Sequence, residues 1–461
     1  MEEKKDIARL LAYNAGMTFS ALPDAFSGVP RFRRLALVVC MFLITASMGF
    51  LQPFVPLYME ASGLSRQQIG LVTGLGAGLA ILVQPLLGRL SDRLDARRPF
   101  MSVTAALTAL AYLSYRSAHG VWAFTLLTAL GLNGTFYLNT VGGVLIGRLV
   151  QGARGGGSAY ARYRVWGSVG YIVVALLAGW LLNRGLPGRG GLGRAALDPV
   201  FTYGPLLFLI IAIISWLVPD SKRAIPDAVS SPFPPEPASH TSLTANVRFF
   251  LLAFFLYQFG LYGASAYLSL FLKTLGATPL WITGTFAAGV VCEVLVMTQV
   301  GRWTDRVGRR PALAIAFILM PLRLLCYIPA PNPLWVLAVQ TLHGLNFGIM
   351  GAIAVVFIND SADDSSRGLA QARLAGVGGL ATAFAPAVCG WLVQHRGMGA
   401  MFAAMSAVGA AAALIFLTRV RESYADARLL QEGGGHRNAL LRWLSGPSPE
   451  AAPSEQQPSS T

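Results

Sequence analysis

Charge is what this sequence lacks. Only 12% of its 461 residues are Asp, Glu, Lys or Arg and 54% are hydrophobic, against about 25% charged in soluble domains. Such a composition excludes an ordinary water-facing surface. Acid is scarcer than base, 21 residues against 36, for a formal net charge of +15. That excess does not point to nucleic acid, because a nucleic-acid binder gathers its basic residues on one soluble face. Here they sit in short segments between apolar runs. The four cysteines, Cys40, Cys292, Cys326 and Cys389, stand singly, with no CxxC and no histidine at ligand spacing. A disulfide frame and a metal site are therefore excluded. No His-x-x-Glu-His, Gly-x-Ser-x-Gly or Gly-x-x-x-x-Gly-Lys occurs, so neither an enzyme nor a cofactor is expected. The first 34 residues carry charges of both signs and no short apolar core ending in a small-residue cleavage site, so no cleaved leader is expected.

What is present is apolar length, with a mean hydropathy of +0.56. A hydrocarbon core about 30 Å thick needs about 20 apolar residues per helix, because lipid leaves every backbone group to be satisfied inside the helix. Cutting at charges, Pro and Gly predicts twelve spans. Six lie near 35–59, 66–88, 99–117, 120–147, 163–183 and 200–218, and six near 248–272, 279–300, 311–329, 333–358, 368–394 and 398–418. The expected fold is an all-α membrane protein of two pseudo-symmetric six-helix bundles, 35–219 and 248–418. Residues 1–34 form an N-terminal segment. Residues 220–247, with Pro232, Pro234, Pro235 and Pro237, read as a linker, and the Gly-, Pro- and Ser-rich tail within 419–461 reads as largely disordered. Most of the 36 basic residues fall in the segments that lie inside if both termini are cytoplasmic, which is the orientation the positive-inside rule selects. The expected setting is a bacterial inner membrane, with the lipid bilayer as partner and the chain as a monomer.

An internal repeat supports the division. At an offset of 213, Gly63-Leu64-Ser65 matches Gly276-Ala277-Thr278, where Ser65 or Thr278 is placed to cap the next helix. Gly88, Asp92 and Arg93 match Gly301, Asp305 and Arg306, Trp122 matches Trp335, and Gly131-Leu132-Asn133 matches Gly344-Leu345-Asn346. Parallel halves of six spans are the pattern of alternating-access carriers, with the site near the midplane between repeats.

Gly88-Arg89-Leu90-Ser91-Asp92-Arg93, followed by Arg97 and Arg98, resembles the loop signature of the major facilitator superfamily. Gly301-Arg302-Trp303-Thr304-Asp305-Arg306-Val307-Gly308-Arg309-Arg310 is its second copy, and the first departs from the pattern at Asp95, where Gly is usual. Physically, Gly88 and Gly301 allow two helices to approach closely. Asp92 and Asp305 are placed to accept from a helix N-terminus and to pair with arginine, with Arg93, Arg97, Arg306 and Arg310 as the candidates. These loops are expected to switch conformation. Arg162-Tyr163-Arg164-Val165-Trp166-Gly167-Ser168-Val169-Gly170-Tyr171 and the stretch Gln340 to Gly348 resemble the branch holding phenylpropionate-permease-like, nucleoside:proton and oligosaccharide:proton symporters.

An ionisable group inside a bilayer is costly, so each one is a functional candidate. Glu293, flanked by Val290, Val291, Val294, Leu295 and Val296, is the one acid that falls clearly in mid-span. Arg323 and His343 are placed as its partners for proton coupling, although Arg323 alternatively snorkels to the outer interface. The resemblance implies this same trio, since oligosaccharide:proton symporters carry Glu, Arg and His on the eighth, ninth and tenth helices. The acid that they place three residues after the His is Asn346 here, so coupling rests on Glu293 alone or is absent. A polar and aromatic lining from Tyr58, Gln84, Asn133, Tyr137, Asn139, Tyr257, Gln258, Tyr262, Gln340 and Asn346 suits a sugar, nucleoside or aromatic acid. The alternative use of each is helix-to-helix hydrogen bonding. Two other functions stay open: proton-antiport efflux of drugs or metabolites on the same fold and, remotely, a membrane-bound sensor or enzyme. Efflux relatives usually carry a Gly-Pro-Gly-rich fifth span, and Val165 to Leu182 holds no proline.

Overall fold

The computed structural model describes residues 30–94, 96–150, 156–185, 192–218, 244–362 and 366–423, with the side chains at 31, 148–150 and 156–164 excepted. The expectations for residues 1–29, for Asp95, for the linker up to residue 243 and for the tail beyond residue 423 lie outside the described residues. In chain order the helices are α1 (Arg31–Leu51), α2 (Val55–Ala61), α3 (Arg66–Gly78), α4 (Ala80–Arg93), α5 (Arg97–Ser114), α6 (Gly120–Val150) and α7 (Gly156–Gly185). They continue as α8 (Arg194–Ile214), α9 (Ala245–Ser265), α10 (Leu268–Thr274), α11 (Pro279–Val307), α12 (Arg309–Tyr327), α13 (Pro333–Ser361) and α14 (Arg367–Arg419).

Ten stretches of helix among the described residues are long and apolar enough to cross a membrane. The last, α14, is broken at Gly397, whose φ of 83° suits glycine, and so makes two crossings. α5, opened by Arg97 and Arg98, has 18 residues and falls short of that apolarity. Counting it, the chain is consistent with twelve crossings. Two boundaries differ from expectation. The sixth crossing starts at Arg194 rather than near residue 200, because the helix continues through Pro199. The seventh starts at Ala245, with the Thr244 hydroxyl accepting from Val247 N–H, so the end of the expected linker is already helical.

The repeated turn shows how sequence sets these ends. Gly63 and Gly276 both adopt positive φ, 90° and 77°, which glycine allows at no steric cost. Ser65 then caps α3 in a reciprocal box with Gln68. Thr278, expected to do the same for α11, makes no side-chain cap; Pro279 stands at the first helical position instead, pre-set in φ and without an N–H to satisfy. Ser65→Ala is therefore expected to destabilise the protein by about 1 kcal/mol, and Thr278→Ala by much less. The two melting temperatures in detergent check this difference.

Each half has its own aromatic core. In the first, Tyr115 stacks on Phe201 with centroids 4.9 Å apart and Tyr58 packs 4.3 Å from Phe201. In the second, Phe317 stacks on Phe416 at 4.3 Å and Phe250 packs on Phe357 at 4.5 Å.

Between the halves the packing is lopsided along the membrane normal. α3 packs on α14, and α7 on α11. α3 buries Ile69, Gly70, Val72, Gly74, Gly76 and Ala77, whereas α4, which continues the same crossing, buries only Ser91. α11 repeats the pattern, with six buried residues from Pro279 to Gly289 and then none before Val300. The halves are clamped where α3 and α11 begin and part toward the two signature loops.

Candidate functional site

The signature loops lie at the parted end. Asp92 pairs with Arg97, and Asp305 with Arg309 at 2.6 Å, so each ion pair is made within its own half. Arg309 Nε also reaches Asp360 at 3.4 Å. Arg93 and Arg306, expected as partners, are exposed. Arg310 is 1% exposed and donates to the carbonyls of Val420 at 2.7 Å and Leu417 at 2.6 Å, tying down the end of α14. Glu422, which no sequence motif singles out, accepts from the backbone N–H of Arg309 and of Arg310 at 3.1 and 2.9 Å, a carboxylate on a helix N-terminus. The close approach expected at Gly88 and Gly301 is not made in this state: a Cβ at either would meet nothing within 4 Å, because the halves are apart there.

Midway along the second half, α11, α12 and α13 converge. Gly344 has no side chain, and a Cβ there would collide with Cys292 and the Glu293 nitrogen, so α13 presses on α11 at the level of the acid. A Cβ at Gly289, one turn earlier, would lie 3.3 Å from both Gln340 and His343. Arg323 is 2% exposed and its guanidinium is 2.6 Å from His343 Nδ1. Guanidinium only donates, so Nδ1 accepts, His343 is the neutral tautomer with its proton on Nε2, and Arg323 does not snorkel to the interface. Tyr327, one turn on from Arg323, has its ring centroid 6.0 Å from that guanidinium. Its hydroxyl donates to Gln340 Oε1 at 2.5 Å. Ala264, Ser265, Leu268, Arg323, Tyr327 and Gln340 line a narrow cleft.

Glu293 is half-buried. Tyr262 on α9 and Tyr171 on α7, one from each half, stand in its neighbourhood. Gln258 and Tyr262, one turn apart on α9, are half-exposed.

Other expected lining residues are engaged in packing. Tyr58 donates to Asp198 at 2.8 Å and accepts from Arg194 at 3.2 Å, inside the first half near its clamped end. Asn133 is buried and donates to Gly76 O and Ala129 O at 3.2 and 2.7 Å. Its repeat mate Asn346 is fully buried and donates to Ala316 O at 2.9 Å, while the Tyr257 hydroxyl donates to Asn346 O at 3.2 Å. Asn139 Nδ2 lies 3.5 Å from Met48 Sδ. Tyr137 is buried within electrostatic reach of Asp92 and Arg97 and so belongs to the signature-loop end. Gln84 stands on α4, half-buried, away from the trio's helices. Tyr171 enters the sequence analysis only as the end of the fifth-span signature, and Tyr327 not at all, although a tyrosine four residues after a membrane arginine is an available signal for it.

Against known proteins, residues 34–404 match the model of the MFS_1 like family. The maltose permease of Geobacillus stearothermophilus is 26% identical over 397 residues, covering 84% of this chain and 96% of the permease. Among solved structures, the nucleoside transporter NupG superposes with a TM-score of 0.64 at 16% identity, over 83% of this chain and 98% of its own. The inward open conformation of the xylose transporter XylE from E. coli does so with 0.66 at 15% identity, over 86% and 98%. The family match over most of the chain, the clamped and parted halves and the shared fold converge on one statement: this multi-pass membrane protein belongs to the MFS_1 like family of major facilitator transporters.

Proposed function

We propose that the protein is a proton-coupled uptake carrier for a neutral, hydroxyl-rich solute of the sugar or nucleoside class. The observation that carries this reading is the polar cluster of Glu293, Arg323, His343 and Gln340 where α11, α12 and α13 meet, in a pair of halves closed at one end. Uptake needs a site that faces each side in turn, and two halves that rock about a central site supply that. Basic segments held inside put the signature loops in the cytoplasm, so the state described is inward-open. One chain contains both halves, so the carrier acts as a monomer. Exposed apolar side chains such as Leu82, Leu126 and Trp122 form its lipid-facing belt.

The donors suit hydroxyl oxygens. With Nδ1 occupied by Arg323, His343 offers Nε2–H, and with Oε1 occupied by Tyr327, Gln340 offers its NH2. Glu293 and Gln258 supply acceptors. Glu293 is the coupling group, because a carboxylate among apolar neighbours is carried through the closed state more cheaply when protonated. Names among the relatives, for maltose, nucleosides and xylose, agree with this chemistry.

The test is uptake into proteoliposomes under an inward proton gradient, using maltose, xylose, uridine and an aromatic acid as control. Wild-type protein is expected to accumulate a sugar or nucleoside with alkalinisation of the medium. Glu293→Gln is expected to lose accumulation at least tenfold while keeping solute exchange. Accumulation unchanged in Glu293→Gln removes its coupling role, and proton movement of opposite sign establishes antiport.

A further inference from the structure

An ion pair crosses between the halves at the clamped end. Glu60 on α2 accepts from Lys273 Nζ on α10 at 2.8 Å, with side chains 23% and 33% exposed. The two residues are 213 positions apart, which is the repeat offset read from the sequence. The helices that carry them correspond end to end at the same offset, Val55–Ala61 with Leu268–Thr274. Repeat mates related by a twofold axis touch each other only if they lie on that axis. Here the axis is the line between the halves along which a solute travels. Identical residues at such a point would oppose like charges; the two halves carry opposite ones.

We infer that Glu60 and Lys273 form an electrostatic plug on the transport axis, which closes the mouth at the clamped end and breaks each time that end opens. The surroundings fit a contact made to be remade. Arg66 Nε lies 3.5 Å from Glu60 Oε1 on the same half. When Lys273 leaves with the second half, Glu60 keeps a cation and Lys273 passes to water, so neither charge is stranded in a dry site. Two weaker crossings flank the pair: the Tyr267 hydroxyl donates to Arg66 O at 2.9 Å, and Arg66 N–H donates to Gln394 Oε1 at 3.2 Å. A part-exposed pair contributes modestly, which sets a bias between two states without locking either. The plug rests on the rocking of the halves proposed above and is independent of the solute.

The experiment reads the mouth directly, without solute. In a background with Cys40, Cys292, Cys326 and Cys389 replaced by serine, spin labels are placed through Ser62→Cys on the first half and Arg396→Cys on the second. Their separation is measured by pulsed electron resonance in nanodiscs. Glu60→Lys and Lys273→Glu are each expected to raise the population of the long separation about fivefold or more, and the double exchange to restore the wild-type distribution. Glu60→Gln and Lys273→Gln, which preserve shape, give a smaller shift of the same sign and serve if a reversal fails to fold. Unchanged distributions in the single variants, or a double exchange no nearer to wild type than they are, overturn the plug. A restored distribution in a protein that moves no tested solute leaves the plug standing and removes the substrate assignment.

Discussion

Arg323→Lys is expected to lower solute exchange about a hundredfold or more while the protein still folds. The guanidinium is buried, donates to His343 Nδ1 at 2.6 Å and lies over Tyr327. Lysine keeps the charge but not the planar fork, and its compact ammonium is more strongly hydrated and costs more to bury. Disturbing one partner of a buried charged hydrogen bond costs about 2–5 kcal/mol, and each 1.4 kcal/mol is about tenfold. The loss arises because His343 is no longer held as the Nε2–H tautomer. Exchange rates at saturating solute, with the melting temperature as the control for folding, check it. Exchange within threefold of wild type would show that Arg323 acts only in packing.

The second large effect is expected from Gly74→Leu. Gly70, Gly74 and Gly78 place one edge of α3 against α14, and a Cβ at Gly74 would run into the Ala383 carbonyl, a backbone atom that cannot turn aside. Overpacking costs about 1–3 kcal/mol, and in a protein with two states that cost falls only on the one in which the surfaces meet. The clamped end is therefore propped open, with its population shifted about five- to 150-fold and net transport reduced at least tenfold. The labels at Ser62 and Arg396 report the propped mouth as a longer separation. Gly88→Leu is the contrast: a Cβ there meets nothing within 4 Å in this state, so it leaves the present state undisturbed and, by penalising the opposite one, lowers the population of the long separation.

Much of the site was legible one residue at a time, and less of it as a constellation. Glu293, Arg323 and His343 stood out because charge is rare in this chain. What distinguishes them from Tyr58, Asn133 and Asn346 is not residue type, since all are polar groups in apolar helices. It is the direction each faces. Asn346 and Asn133, mates in the repeat, both donate to carbonyls of neighbouring helices, whereas Gln340, within two turns of Asn346 on the same helix, lines the cleft. Periodicity gives a helix its length but not its rotation when nearly every face is apolar.

The linear sequence by itself determined the membrane class, the repeat, the signature loops and the scarce intramembrane charges. Those follow from composition, spacing and backbone sterics, which act locally. Only the tertiary structure decided that Arg323 bonds His343, that Asp305 pairs with Arg309 rather than Arg306, and that the halves close at one end and part at the other. It alone brought Glu60 onto Lys273, 213 residues away. Those facts depend on which helix faces meet and on which of two packings is occupied, and neither is written in any single segment of the chain.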